Sequence, residues 1–182
     1  MKVHDTALAG VKRIELEVYQ DERGSFLESY HAQRYASVVG THRFVQDNCS
    51  YSGRGVLRGL HYQVKHPQGK LLRVSQGEIF DVVVDLRRDS STFGRWEGMV
   101  LAAQGHTQLW IPPGFAHGFY VLSDSAVVEY KCTDIYRPVD EACLRWNDPA
   151  LAIAWPEGAK VLSGKDRNGA SLTQLHEEGR LP

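Results

Sequence analysis

From residue 44 to residue 133 the sequence returns repeatedly to short runs of β-branched and aromatic residues, most of them closed by glycine, proline or a Ser-Asp turn. Seventeen glycines and seven prolines supply the punctuation, which leaves little room for long helices and favours a sandwich or barrel. The clearest run is 78–86. Phe80, Val82, Val84 and Leu86 alternate on one face, and Ile79, Asp81, Val83 and Asp85 on the other. A face with two aspartates among aliphatics suits either the lining of a wet cavity or a half-exposed sheet surface. Further strands are predicted over 44–52, 56–63, 70–75, 96–103, 107–111, 118–122 and 126–133. Helix is expected over 31–39, and again from Pro138 to Cys143, where proline suits a first helical turn. Many strands and few helices predict an all-β jelly-roll barrel with a few short helices. No repeat, low-complexity tract or linker interrupts residues 1–182, so one domain is expected.

Charge and hydropathy exclude several classes of partner. A formal net charge of −1 gives no overall field for nucleic acid or an anionic membrane, so an anionic ligand needs a local basic cluster. The most apolar runs, 79–84 and 150–155, are far too short to cross a bilayer. The N-terminal stretch is interrupted by charges and lacks a secretory apolar core, so a soluble, cytoplasmic protein is expected. Cys49, Cys132 and Cys143 show no CxxC or metal-finger spacing and are read as reduced, buried strand residues. Neither a GxGxxG fingerprint nor a GxxxxGK[ST] loop is present.

Three segments concentrate ionisable and aromatic groups where strands are predicted: Gly55 to Gln63 followed by Gln68-Gly-Lys70, Trp110 to Phe119, and Val127 to Tyr136. Alternation puts His61 and Gln63 on one face and Arg58 on the other, but Gly59 permits a bulge that brings Arg58 round. Lys70 follows a Pro-Gln-Gly turn and is expected beside His61 across a hairpin. A His–Arg–Lys cluster inside a barrel is costly to bury unless an anion or an enolate occupies it. The alternative is that Arg58 and Lys70 snorkel to the barrel mouth.

Metal-binding cupins carry Gly-x5-His-x-His with a following carboxylate, and a later Pro-x-Gly-x2-His. Gly55 and His61 fit the first element and Pro112-Pro-Gly114-Phe-Ala-His117 the second. Gln63 stands at the second histidine position and Lys70 at the carboxylate position. Glutamine is a weak ligand and an ammonium repels a divalent ion, so no metal is expected.

The order of motifs is more specific than any one of them. Asp21-Glu-Arg23-Gly-Ser-Phe26, Gln46-Asp47-Asn48, RGLHYQ (58–63), QGKL (68–71), IPPGFAHGF (111–119), the Tyr130 strand and Ser163-Gly-Lys165-Asp166 follow one another nearly end to end. In this the chain resembles the dTDP-4-dehydrorhamnose 3,5-epimerase family. The resemblance implies a cupin jelly-roll homodimer that needs no cofactor and acts on a dTDP-4-keto-6-deoxyhexose. It implies His61 as base, Tyr130 as proton donor and Asp166 as the partner of the histidine. Substrate contacts are implied at Arg23, Glu28, Gln46, Asp47, Asn48, Arg58, Lys70, His117, Glu141 and Lys165, with Tyr136 stacking on thymine. Glu28, Asp47 and Glu141 rest on the resemblance alone. Gly164 stands where the family often has glutamate, with the Lys165-Asp166 pair intact.

These residue types suit the implied chemistry. A proton beside a ketone is weakly acidic, so its removal needs a base and a stabilised enolate. Histidine titrates near neutrality, and a paired carboxylate fixes its tautomer. Lys70, with His117 nearby, is a candidate to stabilise the developing oxyanion. Inversion requires a proton on the opposite face, which a phenol of pKa about 10 can donate. Arg23 and Arg58 offer forked donors to a diphosphate. An epimerase of C3 alone or C5 alone, a ketoisomerase on the same fold, and a sugar-binding cupin stay open as alternatives.

Overall fold

The computed structural model describes Met1–Pro182 and contains thirteen strands, numbered here along the chain. The first sheet runs β1 (Lys2–Asp5), β2 (Lys12–Glu15), β10 (Thr107–Ile111), β7 (Lys70–Gln76), β12 (Ser125–Cys132), β5 (Gln46–Gly53). The second runs β13 (Glu141–Cys143), β6 (Leu57–Gln63), β11 (Phe115–Val121), β8 (Glu78–Asp85), β9 (Trp96–Ala102). β3 (Val18–Asp21) and β4 (Gly24–Leu27) form a separate hairpin. Neighbouring strands are antiparallel throughout. The two large sheets face each other as the predicted jelly roll.

Leu72, Val74, Leu109 and Val128 of the first sheet meet Ile79, Val83, Phe115 and Phe119 of the second in the inner core. Both sheets are also covered outside. Tyr35 and Val39 of α1 (Ala32–Val39) pack on Ile14, Leu71 and Trp110. Leu144, Leu151, Leu175 and Leu181 cover Leu60, Val82, Val84 and Leu86. Leu175 belongs to α3 (Leu172–Glu177), which follows the single turn α2 (Gly164–Arg167). β8 is therefore buried on both faces, and the half-exposed alternative for its aspartates is overturned: Asp81 and Asp85 are both 0% exposed.

Asp85 serves the frame. Its Oδ1 accepts from the Arg87 backbone at 3.0 Å, and its Oδ2 from Arg87 Nη2 at 2.7 Å and from Ser90 and Thr92 at 2.6 Å each. Burial alone would raise its pKa, but these donors outweigh burial and hold it at about 2. A depressed carboxylate stabilises the fold at neutral pH and loses that contribution as pH falls from the unfolded value of 3.8 toward 2. Asp85→Ala should cost about 3 kcal/mol in urea unfolding at pH 7. The gap between variant and wild type should narrow at about pH 2–3.

The predicted strands are present, most within two residues of their expected ends, although β11 begins at Phe115 rather than Gly118. The helix expected from Pro138 is corrected. Pro138–Asp140 is one 3-10 turn, and the chain then pairs with β6 as β13. Asp140 accepts from the backbone N–H groups of Lys65 and His66 at 2.8 Å each, which holds the turn against the end of β6. No helix is long and apolar enough to cross a membrane.

Candidate active site

A cleft of about 310 Å³ opens between the sheets. β6 brings Arg58 and His61 to it, β7 Lys70, β11 His117, β12 Tyr130, and β5 Gln46 and Asn48. Tyr136, Glu141 and Lys165 line its rim.

The bulge allowed by Gly59 is present. His117 pairs with His61, yet Phe119 pairs with Arg58, so β6 spends one residue more than β11 over the same span. Gly59 has φ +124°, and a Cβ at Gly118 would stand 2.5 Å from the Arg58 carbonyl oxygen, so only glycines permit this approach. The extra residue swings Arg58 into the cleft beside His61. Arg58 is exposed at the mouth, with Nε donating to Ser52 Oγ at 2.9 Å. Lys70 is only 9% exposed and is no snorkelling surface charge. The hairpin expectation for it is corrected, because β7 belongs to the opposing sheet. Its Nζ donates across the barrel to the His61 carbonyl at 3.5 Å, and burial lowers its pKa.

His61 Nε2 lies 2.5 Å from Asp166 Oδ1. Asp166 is buried in α2, whose N-cap Ser163 accepts from the Asp166 N–H at 3.1 Å. Burial would raise the Asp166 pKa, but the hydrogen bond and charge of His61 outweigh it, and the carboxylate stays ionised. With Nε2 engaged, Nδ1 is the ring nitrogen left to exchange a proton. Across the cleft, burial raises the Tyr130 hydroxyl, with Cys132 adding to the effect and Arg58 opposing it. Tyr130 is therefore a neutral phenol at physiological pH. The arrangement sets His61 on one sheet, backed by Asp166 of α2, against a phenol on the other, with a buried ammonium inside.

The family model for dTDP-4-dehydrorhamnose 3,5-epimerase matches residues 5–174. The chain belongs to that family. A Pseudomonas aeruginosa protein named dTDP-4-dehydrorhamnose 3,5-epimerase is 53% identical over 174 residues, covering 94% of this chain and 96% of that one. A Neisseria gonorrhoeae protein of the same name is 52% identical over all of this chain, which spans only 56% of that relative's length. The solved structure of a Legionella pneumophila Philadelphia 1 3,5-epimerase, in complex with dTDP-4-keto-L-rhamnose, is 51% identical with a TM-score of 0.96. It covers 100% of this chain and 97% of its own. The barrel is of the cupin type found in this epimerase family.

Of the fourteen residues implied by the epimerase motifs, ten line the cleft, Asp166 stands behind His61, and three lie elsewhere. Arg23 sits on the tip of the β3–β4 hairpin, bonded to Asp21, with its side chain 86% exposed. Glu28 accepts from Arg34 Nη1 at 3.1 Å, and Asp47 from Lys131 Nζ at 2.9 Å, both away from the cleft. Glu141 accepts from Tyr136 Oη at 3.0 Å and Lys165 Nζ at 2.8 Å. Burial would raise Glu141, but those donors lower it on balance.

One site residue carries no assignment from the motifs. Asp81 Oδ2 lies 2.7 Å from His117 Nε2, and its Oδ1 is buried without a partner. Its signal was the aspartate among aliphatics in the β8 alternation. Gln63, at the second cupin ligand position, is spent on the frame: it donates to His66 O at 2.8 Å and accepts from Arg137 N at 2.6 Å. With Lys70 buried at the carboxylate position, the cupin metal set does not fit a divalent ion. The cysteines are free; Cys132 is buried and Cys143 half-buried, but Cys49, expected inside, is exposed on edge strand β5.

Proposed function

We propose that this chain inverts C3 and C5 of dTDP-4-keto-6-deoxy-D-glucose to give dTDP-4-keto-L-rhamnose. The observation that carries the reading is the opposition of His61, backed by Asp166, and Tyr130 across one cleft, on different sheets. His61 Nδ1 removes the proton beside the C4 ketone, the C–H electrons form a C=C bond, and the carbonyl oxygen becomes an enolate. The Lys70 ammonium stabilises that oxygen, and Tyr130 returns a proton to the opposite face. Solvent then reloads the phenol and discharges the imidazolium, and the second carbon repeats the sequence. No step calls on a nicotinamide or a metal. Asp166 keeps the imidazole in one tautomer, and Asp81 orients His117 beside the site.

Arg58 at the mouth suits the diphosphate, and Tyr136 with the Gln46–Asn48 amides suits the thymine. The hairpin holding Arg23 supports a homodimer. It exposes Tyr19 and Phe26, at 57% and 72%, and carries the arginine away from its own cleft. A second copy that buries these rings would bring Arg23 and Glu28 to the neighbouring site. A chain working as one domain in the cytoplasm fits three free cysteines.

Turnover of the 4-keto substrate in deuterium oxide, followed by NMR, tests the reading. Deuterium is expected at both C3 and C5, in a product that a partner reductase accepts. Label at one carbon makes the chain a mono-epimerase, and label at neither overturns the proposal. Lys70→Met should lower kcat by about 10²–10³-fold, as for other oxyanion donors, with a smaller change in KM. Steady-state kinetics on the coupled reaction would show whether the loss falls on kcat.

A further inference from the structure

Behind the cleft, three unlike ligand atoms converge. One ligand atom from each of His61, Cys143 and Asp166 lies within 4.8 Å of the others, contributed by β6, β13 and α2, with Asp166 Oδ1 in contact with both His61 Nε2 and Cys143 Sγ. They are distinct from the dismantled cupin set, of which only His61 is shared. Cys143 reaches this position because β13 pairs with β6 in the register Cys143↔His61. Its Sγ is 3.9 Å from Asp166 Oδ1, a distance at which the thiol adds little to the His61–Asp166 pair.

We propose that His61, Cys143 and Asp166 form an inhibitory site for zinc or a similar thiophilic divalent cation. Imidazole, thiolate and carboxylate are the ligand types zinc takes, and three protein ligands leave a fourth position open for water. Zinc–ligand bonds of about 2.0–2.3 Å put tetrahedral ligand atoms about 3.5 Å apart. The sulfur–oxygen gap of 3.9 Å needs to close by only a few tenths. The His61–Asp166 contact of 2.5 Å has to open, by about 1 Å, as the cation replaces the shared proton. The thiol proton leaves to solvent, so thiolate and carboxylate together neutralise the cation. Lys165 does not oppose this as a free charge, because its ammonium is paired with Glu141 at 2.8 Å. The proton displaced from Nε2 is exchanged through solvent to Nδ1, so the neutral imidazole on the cation has no free lone pair facing the substrate, which stops proton abstraction. The binding site stands on geometry alone; the inhibition rests on the role proposed for His61.

Cadmium reports the site directly, because a cadmium thiolate absorbs in the ultraviolet. In metal-free wild type, one equivalent of Cd²⁺ should bring up that band, and Zn²⁺ should abolish epimerisation reversibly, with EDTA restoring it. Cys49→Ser should behave as wild type. Cys143→Ser should keep its activity without metal, lose the band, and need at least about 10-fold more Zn²⁺ for half-inhibition. No band in wild type, or a band that survives in Cys143→Ser, overturns the site. Imidazole ¹⁵N NMR of the unsubstituted protein covers a variant that does not fold: Zn²⁺ should shift the His61 resonances and leave those of His117, and an unmoved His61 overturns the site. Wild type without epimerase activity in metal-free buffer would sink the functional reading, and the band and the NMR shift would still decide the metal site.

Discussion

His61→Asn should lower kcat by about 10²–10⁴-fold and stop deuterium entering the substrate at either carbon, with dTDP affinity little changed. The size follows from what is removed. Asparagine is shorter than histidine and its amide takes the place of Nδ1, short of Asp166, so His61→Gln, whose longer amide can donate from the Nε2 position, is the companion variant that keeps a partner on the buried carboxylate. What both amides lack is a nitrogen able to take a proton near neutral pH. Exchange is the sharper readout because it reports proton removal alone. Wild-type exchange in the variant would assign the base elsewhere, whereas tight dTDP binding with no exchange fits loss of the base. A drop in dTDP affinity as large as the drop in kcat would mean that His61 holds the ligand rather than the proton.

Much of this site was legible in the sequence because strand alternation is local. The placing of His61 and Arg58 in one cleft needed only the alternation of β6 and the glycine that breaks it. Alternation says which face a side chain occupies, however, and not which sheet the strand joins. Lys70 was therefore placed near His61 for the wrong reason: residues 64–69 carry the chain across to the other sheet instead of turning a hairpin. Asp81 shows the same limit. Its place among aliphatics was visible, but its partner His117 is 36 residues away and arrives through the β8–β11 ladder.

Outside the site, the unread elements lack any period of their own. β2, of sequence Lys-Arg-Ile-Glu, has three charges in four residues and becomes a strand because β10 offers an unpaired edge. Leu144, Leu151, Leu175 and Leu181 are scattered through loops and one short helix, yet together they cover the outer face of the second sheet. That covering turned the aspartate-bearing strand into a fully buried one. Asp47 lies between cleft-lining Gln46 and Asn48 on β5, so alternation alone puts it on the other face; Arg23 and Glu28 fall outside the cleft of their own chain, which no reading of face or spacing distinguishes from a place inside it.

Tyr130→Phe should separate the two halves of the reaction. The ring keeps its packing against the inner core, so little stability is at stake. The hydroxyl proposed to supply the opposite-face proton is gone. His61, Asp166 and Lys70 remain, so the enolate still forms, and the proton returns from the side it left. The expected result is substrate that gains deuterium with its configuration retained, while inverted product falls by about 10²–10⁴-fold. A raised phenol pKa gives this prediction a pH dependence: the neutral donor persists through the physiological range, so wild-type inversion should not be lost to Tyr130 ionisation below about pH 10. Loss of exchange and inversion together in Tyr130→Phe would place the tyrosine on the proton-removing side and overturn the two-face arrangement. Retained exchange without inversion is what a base and an acid on opposite sheets require.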